Sequence, residues 1–327
     1  MSRYTASVEA LRPGDPIDVV APSSAFERER FERGIGALRQ IGLVPRFGEE
    51  IFSRTGHLAG DDARRKRELE AAFRSDAKAL ILARGGYGLL RFASELKRFP
   101  RKLLVGYSDA TVLHELWRRK GMPSIHGPMC TQLGEDPSAL ERLRALLFSE
   151  PIGPLSWTSR SAHGGRAEGP LAGGNLATLA SMCGTPVQPQ FRGCIVLIED
   201  LNEPPYRLDR LLTQLLLSGA FEGAKAFVVG DLTAPGEAPE GREEVVAERL
   251  GKLAVPVAFG RGQDDVFLAV GRAGGAAGPG QAEPLDGHRQ QRRVRHAALD
   301  RVHERVARSR VAEHQFRGKV GAEPRIA

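Results

Sequence analysis

Short apolar runs alternate with one-sided helical faces along the first half of this chain, and that alternation leaves few folds open. Ile17-Asp18-Val19-Val20 is a buried-strand pattern, broken by Ala21-Pro22-Ser23-Ser24, whose serines are suited to capping the next helix. Phe31, Ile35 and Leu38 lie on one helical face that Gly42 ends, and Leu43–Phe47 is a second strand. Asp61 and Asp62 cap a helix whose inner face carries Leu69, Ala72 and Phe73. Ala79–Ala83 and Leu103–Val105 are the third and fourth strands. Strand–helix–strand units of this length imply a parallel sheet covered on both faces. In such sheets the functional groups belong at the C-terminal ends of the strands.

The pattern restarts further along. Asp136-Pro137 opens a helix with Leu140, Leu143 and Leu147 on one side. Residues 149–167 are polar and rich in Gly, Pro and Ser, the composition of a linker. Beyond it, Gly173-Gly174-Asn175 opens a short helix, Cys194–Ile198 is a strand ending on Glu199-Asp200, and Leu208, Leu211, Leu212, Leu215 and Leu216 form the core face of an amphipathic helix. Ala226–Val229 and Val255–Phe259 are further strands. The expected fold class is therefore α/β. An N-terminal Rossmann-like parallel-sheet domain (1–148) is joined by a linker (149–167) to a smaller C-terminal α/β domain (168–272), and an irregular, poorly ordered basic tail (273–327) comes last.

The net charge of +7 belongs to residues 288–327 within that tail, which hold ten Arg and one Lys against four acidic residues, while residues 1–287 are neutral. The tail has few large apolar residues and can bury little surface. It reads as a solvated extension; a nucleic-acid-binding arm would show itself as salt-dependent affinity lost on deleting 288–327. Cys130, Cys183 and Cys194 neither supply a disulfide framework nor stand at metal-ligand spacing, and they are expected as reduced thiols. No run reaches the length of a membrane span, and Met1-Ser2-Arg3-Tyr4 does not begin a secretory signal, so a cytoplasmic setting away from the membrane is expected.

Gly106-Tyr107-Ser108-Asp109 stands where the fourth strand meets the helix Ala110–Lys120. A serine at such a turn presents its hydroxyl, and the helix start supplies N–H donors beside it, which suits a nucleophile that leaves an oxyanion behind. Arg84-Gly85-Gly86-Tyr87-Gly88 falls at the end of the third strand, and its paired glycines let backbone amides approach a substrate closely. Arg84 and Tyr87 are expected to flank this cleft and, by inference, to receive a substrate carboxylate.

Taken in order, Ala83–Gly88, Val105–Thr111, His126-Gly127-Pro128-Met129, Leu171–Leu176 and Leu197–Arg207 resemble the LD-carboxypeptidase family of serine peptidases, which also contains the microcin C immunity peptidases. The resemblance runs from about Ile17 to Phe259. It implies a Ser–His–Glu triad, with Ser108 as nucleophile, Glu199 as the carboxylate that orients the histidine, and the amides of Gly86 and Asp109 as the oxyanion hole. It implies hydrolysis of the amide between a diamino acid and the terminal D-alanine of a murein tetrapeptide, without metal or cofactor, and a homodimer. Asn175 and Glu203 are open between substrate binding and structural hydrogen bonding. His126 is expected to pack and hydrogen-bond at a strand end rather than to act as a base. In the immunity-type relatives an aromatic residue stacks on a nucleobase; Trp157 is such a residue, though linker packing also accounts for it.

The resemblance breaks where the family places its catalytic histidine. In the Gly-His position of Gly260-Arg261-Gly262-Gln263, this chain has Gln263. Glutamine neither takes a proton from a serine nor returns it near neutral pH. His288, in Asp286-Gly287-His288, is the nearest substitute in sequence, about 25 residues late. An abrupt loss of periodicity after about residue 260 is what a shifted reading frame produces, and the coding DNA tests that by whether another frame restores Gly-His near 262–263. Three functional classes stay open: the serine carboxypeptidase, a catalytically inactive homologue that binds peptide ligands, and a basic-tailed nucleic-acid binder.

Overall fold

A computed structural model describes residues 8–150, 160–232, 241–260 and 268–270. Trp157, Gln263, His288 and the basic tail lie outside the described residues.

The N-terminal sheet contains β1 (Pro16–Val20), β2 (Val44–Arg46), β3 (Ala79–Leu82), β4 (Leu103–Gly106) and β5 (Ser124–His126), all parallel. A last strand, β11 (Leu268–Val270), adds antiparallel to β5 and completes the order β11-β5-β4-β3-β1-β2. Alternate residues of the strands feed two cores. Ile17, Val19, Ala79, Ile81 and Val105 pack with α1 (Arg28–Gln40) and α4 (Pro137–Leu147). Val20, Leu80, Leu82 and Leu104 pack on the other face with α2 (Asp62–Arg74) and α3 (Thr111–Arg119). Coverage on both faces explains why these strands read as continuous apolar runs.

Local chemistry sets the helix starts. Asp61 accepts from Arg64 N at 2.7 Å, and Asp136 accepts from Ser138 N at 2.8 Å ahead of Pro137.

The second sheet has the order β6-β10-β9-β8-β7. Its strands are β6 (Arg160–His163), β7 (Leu171–Asn175), β8 (Ile195–Glu199), β9 (Ala226–Val229) and β10 (Val257–Phe259), parallel except for β6. Its apolar cluster includes Leu176 and Leu179 of α5 (Leu176–Ser181), Leu208, Leu212 and Leu215 of α6 (Pro205–Leu217), and Val246 and Leu250 of α7 (Arg242–Gly251).

Two segments behave differently from their sequence pattern. Arg160–His163, inside the linker-like stretch, pairs with β10, and Leu268–Val270 pairs with the N-terminal sheet rather than the second one. Gly173-Gly174-Asn175 is the end of a strand, with α5 starting only at Leu176. A Cβ on Gly173 would stand 2.0 Å from the Leu197 carbonyl oxygen, so β7 approaches β8 as only glycine allows.

Helix α3 joins the two sheets. Asn175 N donates to Thr111 Oγ1 at 3.0 Å, and Gly174 lies so close that a Cβ there would be 2.5 Å from the same hydroxyl. At the other end of α3, Arg118 and Arg119 bond the buried Glu115 and donate to the carbonyls of Gln190, Pro186 and Gln188. The strand ends bearing Ser108 and Glu199 are thus set against a common joint.

Candidate active site

Strand β4 ends at Gly106, and two residues later Ser108 adopts φ 61° in the left-handed region. For a residue with a Cβ this costs about 1–3 kcal/mol, and it is the backbone habit of a nucleophile carried on a strand-to-helix elbow. The next 3-10 turn runs Ser108–Ala110 and leads into α3; its first donor is Ala110 N, bonded to Tyr107 O.

The loop after β3 meets this elbow. A Cβ on Gly85 would lie 2.9 Å from Ser108 Cβ and 3.2 Å from Ser108 Oγ, so the missing side chain is what lets the two loops touch. Gly86 has φ 101°, and a Cβ there would come within 2.3 Å of Ser24 Oγ. Gly86→Ala is expected to lower stability by about 2 kcal/mol, the cost of a left-handed residue plus a clash, read from urea unfolding. An unchanged midpoint would show that this loop is not held as described.

Arg84 is exposed, and its guanidinium donates to Ala25 O at 2.5 Å. Tyr87 is 49% exposed, its amide donates to Ser24 Oγ, and its ring lies 5.8 Å from that of His57. His57 had no distinguishing signal in the sequence. Both Arg84 and Tyr87 stand at the rim of the loop that approaches Ser108.

Glu199 ends β8 beside Asn175, its register partner on β7. Across the joint its Oε1 is 3.8 Å from His126 Nε2. His126 ends β5 opposite Gly106, as strand-end packing predicted, but among the described residues its Nδ1 has no hydrogen-bond partner, against the expected bonding, and its nearness to Glu199 was not foreseen. It is buried, and loss of solvation, helped by nearby His114, lowers its pKa to about 3. His114 bonds Gly106 O through Nε2 and Ser124 Oγ through Nδ1, both at 2.8 Å. The carbonyl can only accept, so Nε2 carries the proton and Nδ1 accepts from the serine. Burial lowers the His114 pKa to about 4 against the pull of that carbonyl.

Asn175 is engaged within the fold. Its Oδ1 caps α5 through Thr178 N at 3.0 Å, and its Nδ2 donates to Asp200 at 3.2 Å. Asp200 also accepts from the amides of Ala177 and Leu201, and burial raises its pKa. Glu203 pairs with Arg207 at 2.8 Å. Of the residues singled out in the sequence, Ser108, Asp109, Gly86, Arg84 and Tyr87 belong to loops in mutual contact. Glu199 and Asn175 come from the second sheet, and Gln263 is outside the described residues.

The sequence matches the LD-carboxypeptidase N-terminal domain over residues 17–127 and the LD-carboxypeptidase C-terminal domain over residues 168–271. This chain belongs to the LD-carboxypeptidase family. A putative carboxypeptidase of Synechocystis sp. is 37% identical over 279 residues, covering 80% of this chain and 91% of its own. The murein tetrapeptide carboxypeptidase of Pseudomonas aeruginosa is 32% identical over 281 residues, covering 79% and 90%. The crystal structure of muramoyltetrapeptide carboxypeptidase from Oxalobacter formigenes superposes with a TM-score of 0.62 at 30% identity, covering 78% of this chain and 92% of that one. Among the described residues, no helix is long and apolar enough to cross a membrane.

Proposed function

We propose that this protein is a serine carboxypeptidase scaffold for murein tetrapeptides, acting in the cytoplasm on the amide between the diamino acid and the terminal D-alanine. The observation that carries the reading is Ser108, held at φ 61° on an elbow against Gly85. In the reaction, Ser108 Oγ attacks the carbonyl carbon and its proton passes to a base. The amides of Gly86 and Asp109 receive the oxyanion. The C–N bond then breaks as the proton moves to the leaving D-alanine amine, and water releases the acyl group from Ser108. Glu199 orients the base, while Arg84 and Tyr87 receive the substrate carboxylate. The nucleophile would come from the 1–148 domain and the carboxylate from the 168–272 domain.

The base is where this chain departs from its family. With Gln263 in the histidine position, the proton has no competent acceptor there, which favours a second reading: an inactive homologue that retains the cleft and binds the peptide. The test is release of D-alanine from a murein tetrapeptide, with calorimetric binding of the same peptide alongside. Turnover abolished by Ser108→Ala supports the enzyme. Binding without turnover supports the inactive homologue, and absence of both rejects the murein-peptide reading.

A further inference from the structure

In the proposed oxyanion hole, the two donors come from separate loops, and neither loop alone fixes the distance between them. The structure supplies a tie. Ser23 Oγ donates to Asp109 Oδ2 at 2.6 Å, and Leu89 N donates to the same oxygen at 2.9 Å. One carboxylate oxygen therefore holds the loop after β1 and the turn beyond Gly86. The triangle is closed on its third side: Ser24 N donates to Gly85 O at 3.2 Å, and Tyr87 N donates to Ser24 Oγ at 3.2 Å.

This tie is built into the interior. Asp109 is 4% exposed and Ser23 fully buried, so neither side chain is available to a ligand. The loop after β1 is anchored in turn by the fully buried Arg65, whose guanidinium donates to Pro22 O at 2.6 Å and pairs with Asp62. Its Nη1 fills the space a Cβ on Gly88 would need, 2.2 Å away. Burying a carboxylate is costly unless donors surround it. Burial raises the Asp109 pKa, and the Ser23 and Leu89 hydrogen bonds and the Arg65 charge oppose that rise. A group kept there against its solvation cost, bonded to both neighbouring loops, has a positional purpose.

We propose that the Asp109 carboxylate is a positioning residue that sets the spacing of the two oxyanion donors, its own amide and that of Gly86, by bonding Ser23 and Leu89. The inference rests on the serine-peptidase reading of the site. It concerns the side chain of Asp109, which acts through the backbone and never touches substrate.

The test uses Ser23→Ala, which removes one of the two bonds, and Asp109→Ala, which removes the acceptor of both. Two ligands are compared by calorimetry on the full chain. One is a peptide boronic acid replacing the scissile carbonyl, which forms a tetrahedral adduct on Ser108; the other is the tripeptide product, which does not. Each variant is expected to weaken the boronate by about tenfold or more while shifting the product less than about twofold, since oxyanion donors act on the tetrahedral state. Equal weakening of both ligands, or of neither, overturns the proposal. Hydrogen exchange on the same variants is a readout independent of the ligand. The amides of Tyr87 and Leu89 are expected to exchange about tenfold faster with the second sheet unchanged, and unchanged protection there overturns the tie. If the parent protein binds neither peptide, the murein-peptide reading falls, and the exchange result alone decides whether Asp109 couples the loops.

Discussion

Gln263→His is expected to raise D-alanine release by about a thousandfold or more over the parent, with Ser108→Ala in the same background removing the gain. Removing the histidine from a serine triad costs on the order of 10⁶ in turnover, because serine is then attacking as a neutral alcohol with nothing to take its proton. A histidine placed at 263 recovers less than that if the surrounding loop is not tuned to hold the ring, hence the lower figure. Both flanks of the segment containing Gln263 are anchored. Phe259 pairs with Val229 in the second sheet, and Leu268 stands opposite His126 in the first. His126 faces Glu199 across 3.8 Å, so the strand after that segment, β11, pairs beside the carboxylate that would orient a histidine. A parent already as active as the variant, and still dependent on Ser108, would mean that another base serves. His126 would then be the first residue to replace, although its burial and lowered pKa make it a poor acceptor.

The parts of the molecule legible in the sequence are those where one physical signal dominates. β3 and β4 are unbroken apolar runs that feed both cores, and β1 interrupts such a run only at Asp18. α2 and α4 announce themselves through Asp61 and Asp136-Pro137. The less legible parts are governed by contacts between distant residues. β7 carries Gly173, which admits the Leu197 carbonyl, and Gly174, which admits Thr111, and glycine carries no strand propensity to read. β6 exists because β10 pairs with it, although its own residues, Arg160-Ser161-Ala162-His163, look like loop. α7 (Arg242–Gly251) follows Gly241, which has no side chain to cap it, so it lacked a start signal.

The same division holds at the site. Gly85-Gly86 and Gly106-Tyr107-Ser108-Asp109 could be found because local backbone demands select glycine and a serine elbow. The Ser23–Asp109 bond links residues 86 positions apart, and Asn175 serves as a helix cap and a partner of Asp200, roles that depend on what the fold brings near. The arrangement around Glu199 shows the point again. Its place after a strand was readable, whereas its neighbour His126 arrives from the other sheet.

That buried histidine pair makes the second large effect a matter of pH. His114 and His126 lie with ring centroids 5.8 Å apart and fold as neutral imidazoles, with pKa values of about 4 and about 3. An unfolded histidine titrates near 6.5, so between about pH 6.5 and pH 4 the unfolded chain binds protons that the native protein refuses. Their contribution to stability is therefore complete above about pH 6.5 and declines as pH falls, down to about 4 for His114 and about 3 for His126. From pH 6.5 to 5 the loss is about 2 kcal/mol for each, one and a half units at 1.36 kcal/mol per unit. Asp109, Glu68 and Asp200 work in the opposite sense. Burial raises their pKa values, so protonation in mild acid favours the folded form and offsets part of the loss. A variant separates the contributions. His114→Gln is expected to be less stable than the parent at pH 7, where the bonds to Gly106 O and Ser124 are intact, and to close that gap by about 2 kcal/mol by pH 5, because it has no proton to bind on unfolding. Urea unfolding of both proteins across this range measures the difference directly. A gap that stays constant with pH would mean that His114 titrates normally in the native state, and the buried neutral pair beneath the Ser108 elbow would have to be abandoned.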